Sequence, residues 1–363
     1  MIEVTRSGVL KAAVVAAAVA VAWAPLPPDV IERWFSTGLY PSLQHLLTPV
    51  SNIVPFAWLD VVITAGAAAG LFALIRTIRR AWRTRSTAVA LRGLSQLAVA
   101  ASIVYLAFLI VWGFNYRRVP MSARLLLDRD TPQSEAVAQL GLQAVARLNA
   151  LYGDAHAEGW DADVRDSASL RQAFEIVQHA LSDAAPAIPG RLKRSAFGPY
   201  FRWTSVDGMI NPFGLEVIAN PDLLPFERPF VAAHEWSHLA GYANEAEANF
   251  VGWLTCIRAN VPAQYSGWLY LYWQVSGEVS AADRTRIGQA LADGPRRDIN
   301  AIITRLREGQ LPSLRNASWL VYDQYLKANR VEAGIRSYGE VVNLILRVRF
   351  AEGWMPVRRN TAP

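Results

Sequence analysis

Two histidines four residues apart, with a glutamate after the first, form the run His234-Glu235-Trp236-Ser237-His238. On a helix, positions i and i+4 share one face, so both imidazoles can reach one cation. Glu235 projects beside them and can hold a metal-bound water as general base. Two imidazoles and a carboxylate with an open fourth position suit Zn2+. Coordination brings the pKa of a bound water to about 7, which supplies hydroxide at neutral pH. The chain has five histidines in 363 residues, so two of them at this spacing carry information. The competing reading is a polar stripe on an ordinary amphipathic helix.

A third ligand is needed, and Glu245 lies seven residues beyond His238. On one straight helix that is a rise of about 10 Å, too far to share a metal. The chain must therefore turn back. Gly241 stands where a C′ glycine would end the first helix. Asn244 stands where an N-cap would start the next, and Glu247, three residues on, can close a capping box. Either Glu245 or Glu247 can then return toward the histidines. If Glu247 serves the cap, Glu245 is free for the metal. Glu245-Ala246-Glu247-Ala248-Asn249 is also similar to the ExxA[D/N] element of glutamate-ligand zincins. That similarity implies Glu245 as the zinc ligand and Asn249 as the residue that orients a histidine. The metzincin pattern would put its third ligand at Asn244, a poor zinc ligand. No methionine between Met209 and Met355 supplies a Met-turn.

These residues need a scaffold. TPQSEAVAQLGLQAVARLNALYG (131–153) and SASLRQAFEIVQHALSDAA (167–185) have apolar residues at helical spacing. Residues 184–225 are rich in Gly, Pro and aromatics, with short β-type runs. One of them, GLEVIAN (214–220), is the candidate substrate strand, with Leu215, Val217 and Ala219 on it. Helical patterns resume from Phe226 to the end. The aromatic run WLYLYW (268–273) reads as core packing. A donor for the tetrahedral oxyanion is also required. No histidine follows His238, so a Tyr or Arg must serve, and Tyr338 and Arg336 are the candidates. Cys256 is the single cysteine, in an apolar context, so no intrachain disulfide forms.

Before this domain the composition is that of a membrane region. Of all residues, 52% are hydrophobic. Three segments near the roughly 20 residues needed to cross a hydrocarbon core read as spans: about 9–26, 53–75 and 94–114. The net charge of +6 belongs to this region. Residues 1–118 hold 11 Lys and Arg against four acids, which leaves 25 basic and 26 acidic residues for the remainder. A nucleic-acid face is therefore not indicated. The linker RTIRRAWRTRSTAVALR (76–92) has six arginines and no acid, which marks it as cytoplasmic. The 27–52 segment is then an outer loop, and residues 119–363 lie on the extracytoplasmic side of a bacterial inner membrane. Pro25 after Ala22-Trp23-Ala24 obstructs cleavage and favours an uncleaved first anchor. Asp60 reads as a water-facing residue near the outer end of its span.

Over nearly its whole length the chain resembles a bacterial family of membrane-anchored, zincin-like proteins catalogued as a domain of unknown function. The resemblance rests on the three spans and three motifs. These are WGFNYRR (112–118), PFVAAHEWSHLAGYANEAEANF (229–250) and YDQYLKANRVEAGIRSYGEVVNLIL (322–346). It implies a gluzincin-type metallopeptidase domain outside the membrane and no particular substrate.

The expected fold is mainly α. Three transmembrane helices (1–118) precede a mostly helical zincin-like domain (119–363) with a small β-sheet before the active-site helix. The expected function is a membrane-anchored zinc metallopeptidase. His234, His238 and Glu245 bind the metal, Glu235 activates water, and the partners are the lipid bilayer and a peptide or protein near it. The alternative is a catalytically inactive zincin-fold module that binds or signals in the cell envelope. A third reading has the same site hydrolyse another amide, such as a cell-wall peptide.

Overall fold

The computed structural model describes residues 6–128, 130–331, 334 and 340–359. Helix α1 (Arg6–Trp23) ends just before Pro25. Helix α2 (Pro28–Ile31) restarts the chain with proline at its first position, where the missing N–H costs nothing. A π-helical turn (Glu32–Leu39) leads into α3 (Tyr40–Ile53). The bend between α1 and this second helical stretch is 115°. The expected outer loop at 27–52 is thus largely helical. Gln44, Thr48 and Ser51 in it are buried against the protein, while Asp29, Arg33, Ser42 and His45 stay exposed. Gln44 exchanges hydrogen bonds with the backbone of Ile188, and Asn52 bonds Pro189 O and Arg191 N. Residues 186–191 form no ladder of their own, so these side chains satisfy their buried backbone groups.

Helices α4 (Trp58–Thr84) and α5 (Thr87–Val111) form a hairpin through Arg85, which takes the left-handed conformation. Both are long and apolar enough to cross a membrane. α4 buries no residue and exposes Leu, Ile, Val and Phe along its length, a distribution that suits lipid rather than water. Two helices that could each form a span are therefore present among the described residues. A third is present if the bent pair before them counts as one. Helix α4 starts later than the window 53–75 and continues through Arg76–Arg83, whereas α5 starts and ends earlier than the window 94–114.

The rest is mainly helical: α6 (Met121–Arg124), α7 (Ser134–Glu158), α8 (Ala168–Leu181) and α9 (Gly198–Thr204) precede the site. Helices α10 (Arg228–Leu239) and α11 (Glu245–Cys256) carry it. Helices α12 (Val261–Glu278), α13 (Ala281–Gln289), α14 (Asp293–Gly309), α15 (Pro312–Ala328) and α16 (Glu340–Arg347) follow. A small sheet just before α10 has the order β1–β3–β2. Strand β1 (Leu192–Lys193) is parallel to β3 (Glu216–Ala219), and β2 (Gly208–Asn211) is antiparallel to it. Strands β4 (Phe350–Ala351) and β5 (Met355–Pro356) pair near the C-terminus. One hydrophobic core runs from Phe35, Tyr40 and Trp112 through Met121 to Trp236 and Trp253, so packing is continuous across residue 118.

The sheet and the spans share a buried charge. Glu216 of β3 and Lys193 of β1 pair at 2.8 Å, with both side chains fully buried. Glu216 also accepts from Trp58 N and Leu59 N, the first two N–H groups of α4, and from Asn211 Nδ2. A carboxylate is favoured at this positive helix end. These donors and Lys193 hold the Glu216 carboxyl below its usual pKa despite the opposing effect of burial. Asp60, one residue further, accepts from Ser195 Oγ and Ala196 N. It is docked on the large domain rather than turned to water. Glu216→Ala leaves Lys193 buried and unpaired and is expected to cost about 3–5 kcal/mol. Thermal unfolding of the detergent-purified chain checks this, and an unchanged midpoint would contradict it.

Candidate metal centre

Helix α10 ends where Gly241 permits it. Gly241 has φ +83°, its N–H donates to His238 O, and Tyr242 N–H donates to Ser237 O. These two bonds make a Schellman cap. Asn244 then caps α11, its side chain accepting from Glu247 N at 3.2 Å. α11 folds back along α10 at close range. A Cβ on Gly252 would lie 3.0 Å from His234 N and 3.1 Å from its Cα, so glycine sets the approach of the two helices.

The fold-back brings Glu245 to the histidines. His234, His238 and Glu245 each offer a ligand atom, all within 4.8 Å of one another. The two Nε2 atoms are 3.1 Å apart, and Glu245 Oε2 lies 3.4 Å from His234 Nε2 and 3.5 Å from His238 Nε2. His238 Nδ1 contacts Tyr242 O at 2.7 Å. A carbonyl only accepts, so Nδ1 carries the proton and, in the neutral ring, the Nε2 lone pair faces the cluster. The His238 Nε2 lone pair and the Glu245 carboxylate thus converge on His234 Nε2, an arrangement that needs a cation or a proton.

The electrostatics express the same demand. Burial opposes a charged His238, but Glu245 more than offsets this and pushes its pKa up to about 9. Burial also opposes the Glu245 charge, yet the two histidines hold its carboxyl far below the usual range. Glu235 is raised, first by burial and then by Glu245 and Asp207, against the pull of the histidines. Its Oε2 has no hydrogen-bond partner. Its Oε1 lies against Gly208 at the start of β2, where an added Cβ would approach within 2.6 Å.

The other expected residues divide. Glu247 does not reach the cluster: its Oε1 accepts from Met121 N at 2.6 Å, near Arg124 and Arg118. It contributes only its N–H to the Asn244 cap and closes no reciprocal box. Asn249 is buried, but its Nδ2 makes no hydrogen bond, and Tyr242 O does the orienting expected of it. Val217 and Ala219 lie on β3 and Leu215 just before it, all buried. β3 is the inner strand, with β1 and β2 on its two edges, so no edge is free for a substrate. All four of its residues are buried, as in a strand covered on both faces. The edge beside Glu235 belongs to β2, whose four residues are too short to stand out in sequence. Tyr338 and Arg336 lie outside the described residues.

Sequence reasoning missed the tyrosines. Tyr322 OH donates to Glu245 Oε1 at 2.5 Å. Tyr270 stacks on Phe230 at 3.6 Å, and its hydroxyl is buried without a partner. Burial and the nearby Glu245 charge raise its pKa, so it stays a donor. Both residues sit in stretches noted for other reasons, WLYLYW and the YDQY motif. The WGFNYRR motif stood out in sequence, but its contacts with the end of α10 did not. Trp112 Nε1 donates to His238 O at 3.1 Å and Arg118 Nη1 to Gly241 O at 3.0 Å, while Tyr40 OH donates to Leu239 O at 2.8 Å. Arg117 donates to Val21 O at the end of α1.

A family described as a protein of unknown function (DUF3810) matches residues 35–346. The chain belongs to the DUF3810 family. The match spans α3 through α16, so this family's common unit includes both spans and the cluster. No curated protein and no solved structure matches the chain.

Trp112→Phe keeps the ring and removes the donor to His238 O. His238 O keeps the Gly241 N–H, so the variant loses one of two bonds to this carbonyl, worth about 0.5–1.5 kcal/mol. A lowered unfolding midpoint is expected in detergent, and a midpoint equal to that of the native chain would contradict the assignment.

Proposed function

We propose that this DUF3810 protein is a membrane-anchored zinc metallopeptidase with a zincin-like site. The observation that carries the reading is the convergence of His234 Nε2, His238 Nε2 and Glu245 Oε2, with Glu235 buried beside them. Three protein ligands and an open side are the donor set of a catalytic zinc. When bound, zinc supplies a water whose pKa is near ~7.

The chain's own residues then have separate tasks. His234, His238 and Glu245 hold the metal, and the Tyr242 carbonyl keeps His238 in the ligating tautomer. Tyr322 fixes the Glu245 carboxylate through its other oxygen. Glu235 takes the proton from the attacking water and passes it to the leaving amine. Burial raises its pKa above the usual carboxylate value, which favours its taking up a proton. Tyr270 donates to the developing oxyanion. The free edge of β2, which starts against Glu235, aligns an extended peptide by strand addition. In this reading the arginine-rich tip of the α4–α5 hairpin is cytoplasmic. The site, at the other end of the hairpin, works on the extracytoplasmic side of the inner membrane.

Elemental analysis of the purified full chain tests the ligand set. About one zinc per chain is expected from the coordination chemistry. It should be lost in His238→Ala and in Glu245→Ala and kept in Glu247→Gln. Glu235→Gln should keep its zinc and lose at least ~100-fold of its rate on any peptide the native protein cleaves. A folded chain that neither contains nor takes up zinc would overturn the reading. Zinc without turnover across a peptide library, cell-wall peptides included, would leave the inactive binding module instead.

A further inference from the structure

Helix α15 buries only one side chain, Leu326. Leu320 is 66% exposed and Val321 71% exposed. Helix α9, beside it, exposes Tyr200 and Trp203, and Phe197 at its N-cap is exposed too. Tyr200 Oη and Ser318 Oγ are hydrogen-bonded at 2.6 Å, and Leu311 N–H donates to Trp203 O at 3.0 Å. The first of these bonds sets Tyr200 beside Ser318, and Val321 and Tyr325 follow on that side of α15, with Leu320 about 100° further round the helix from Val321. Left in water, such a face forgoes about 25 cal/mol for each Å² of apolar surface.

Its position says what covers it. At one end, Ala196 N and Ser195 Oγ bind Asp60 in the first turn of α4. Phe201 of α9 packs with Ala57, directly before that helix. At the other end, the Tyr325 ring meets Phe108 in the last turn of α5, at 6.3 Å between centroids. The face is thus tied to the points where one span begins and the other ends. Phe56 and Trp58, also exposed, stand at the same level at the start of α4. Aromatic side chains gather at this depth because their rings suit the headgroup boundary.

We infer that the α9–α15 face lies in the headgroup–acyl boundary of the bilayer that holds α4 and α5. It is an in-plane membrane contact made by the large domain, in addition to its spans. The occupant is lipid because the face continues the lipid-facing surface of the two spans at the height where they meet the domain. One consequence concerns the site. Tyr322 follows Val321 directly, and its hydroxyl holds Glu245. The helix that seats in the membrane is therefore the one that fixes the third ligand. The inference rests on the spans and not on hydrolysis.

The test uses the full chain in nanodiscs of phosphatidylethanolamine and phosphatidylglycerol. Cys256 is buried, so the native background stays unlabelled. Nitroxides are placed through Leu320→Cys, Val321→Cys and, as a control, Gln289→Cys at an exposed position on α13. Power saturation then compares accessibility to oxygen and to a water-soluble nickel chelate. Both α15 labels should show an oxygen-to-nickel ratio several-fold above the control, and either one suffices if the other variant fails to fold. Labels as open to nickel as the control would overturn the inference. So would spin–spin broadening that disappears on dilution with unlabelled chain, because a second copy would then cover the face. Lipid-exposed labels on a chain that binds no zinc would leave this inference standing while the peptidase reading fell.

Discussion

A helix that ends inside a protein leaves its last carbonyls to be satisfied by something else. The end of α10 is such a place. A Schellman cap serves the carbonyls of Ser237 and His238. Trp112, Tyr40 and Arg118 then reach His238 O, Leu239 O and Gly241 O. All three come from the segments that flank the spans. The second histidine of the cluster is therefore held by the membrane region as much as by the helix that carries it. Arg118 is itself fixed by Glu32, with Nη2 2.6 Å from Oε1, which ties the π-helical turn into the same arrangement. Neither Arg117 nor Arg118 is a free surface charge.

The sheet provides a second tie. Glu216 acts as a cap for α4 from a distant part of the chain, and Lys193 balances its charge. An ion pair buried this deeply is not a general source of stability, since desolvation offsets much of its attraction. Its value here is positional: four different segments must meet for the carboxylate to be satisfied. Asp60 repeats the pattern one residue on. Together these contacts fix the height of the large domain relative to the start of α4.

Within the cluster, hydrogen bonds decide which carboxylate is left to face the histidines. Glu245 and Glu247 are two residues apart and both buried. One faces the histidines with a free oxygen, and the other is consumed by Met121 N. The tyrosines complete the division of labour, Tyr322 on the outer oxygen of Glu245 and Tyr270 with its hydroxyl unspent.

Much of this was legible in residue types and local spacing. The i, i+4 histidines, the C′ glycine and the Asn244 cap are short-range features, and short-range geometry follows from the backbone. The apolar windows of the two unbroken spans and the mainly helical class were equally readable, because periodicity and length are properties of one segment at a time. The partners of side chains were not. Gln44, Asn52 and Tyr40 look like loop residues until residues 186–191 and the end of α10 are beside them. A short strand such as Glu216–Ala219 reads the same whether its edges are free or paired. Sequence alone settled which residues can ligate, where the helices turn and which segments suit lipid. Tertiary structure alone decided which glutamate meets the histidines, which strand keeps an open edge and which tyrosines stand at the cluster, because each depends on groups brought together from distant parts of the chain.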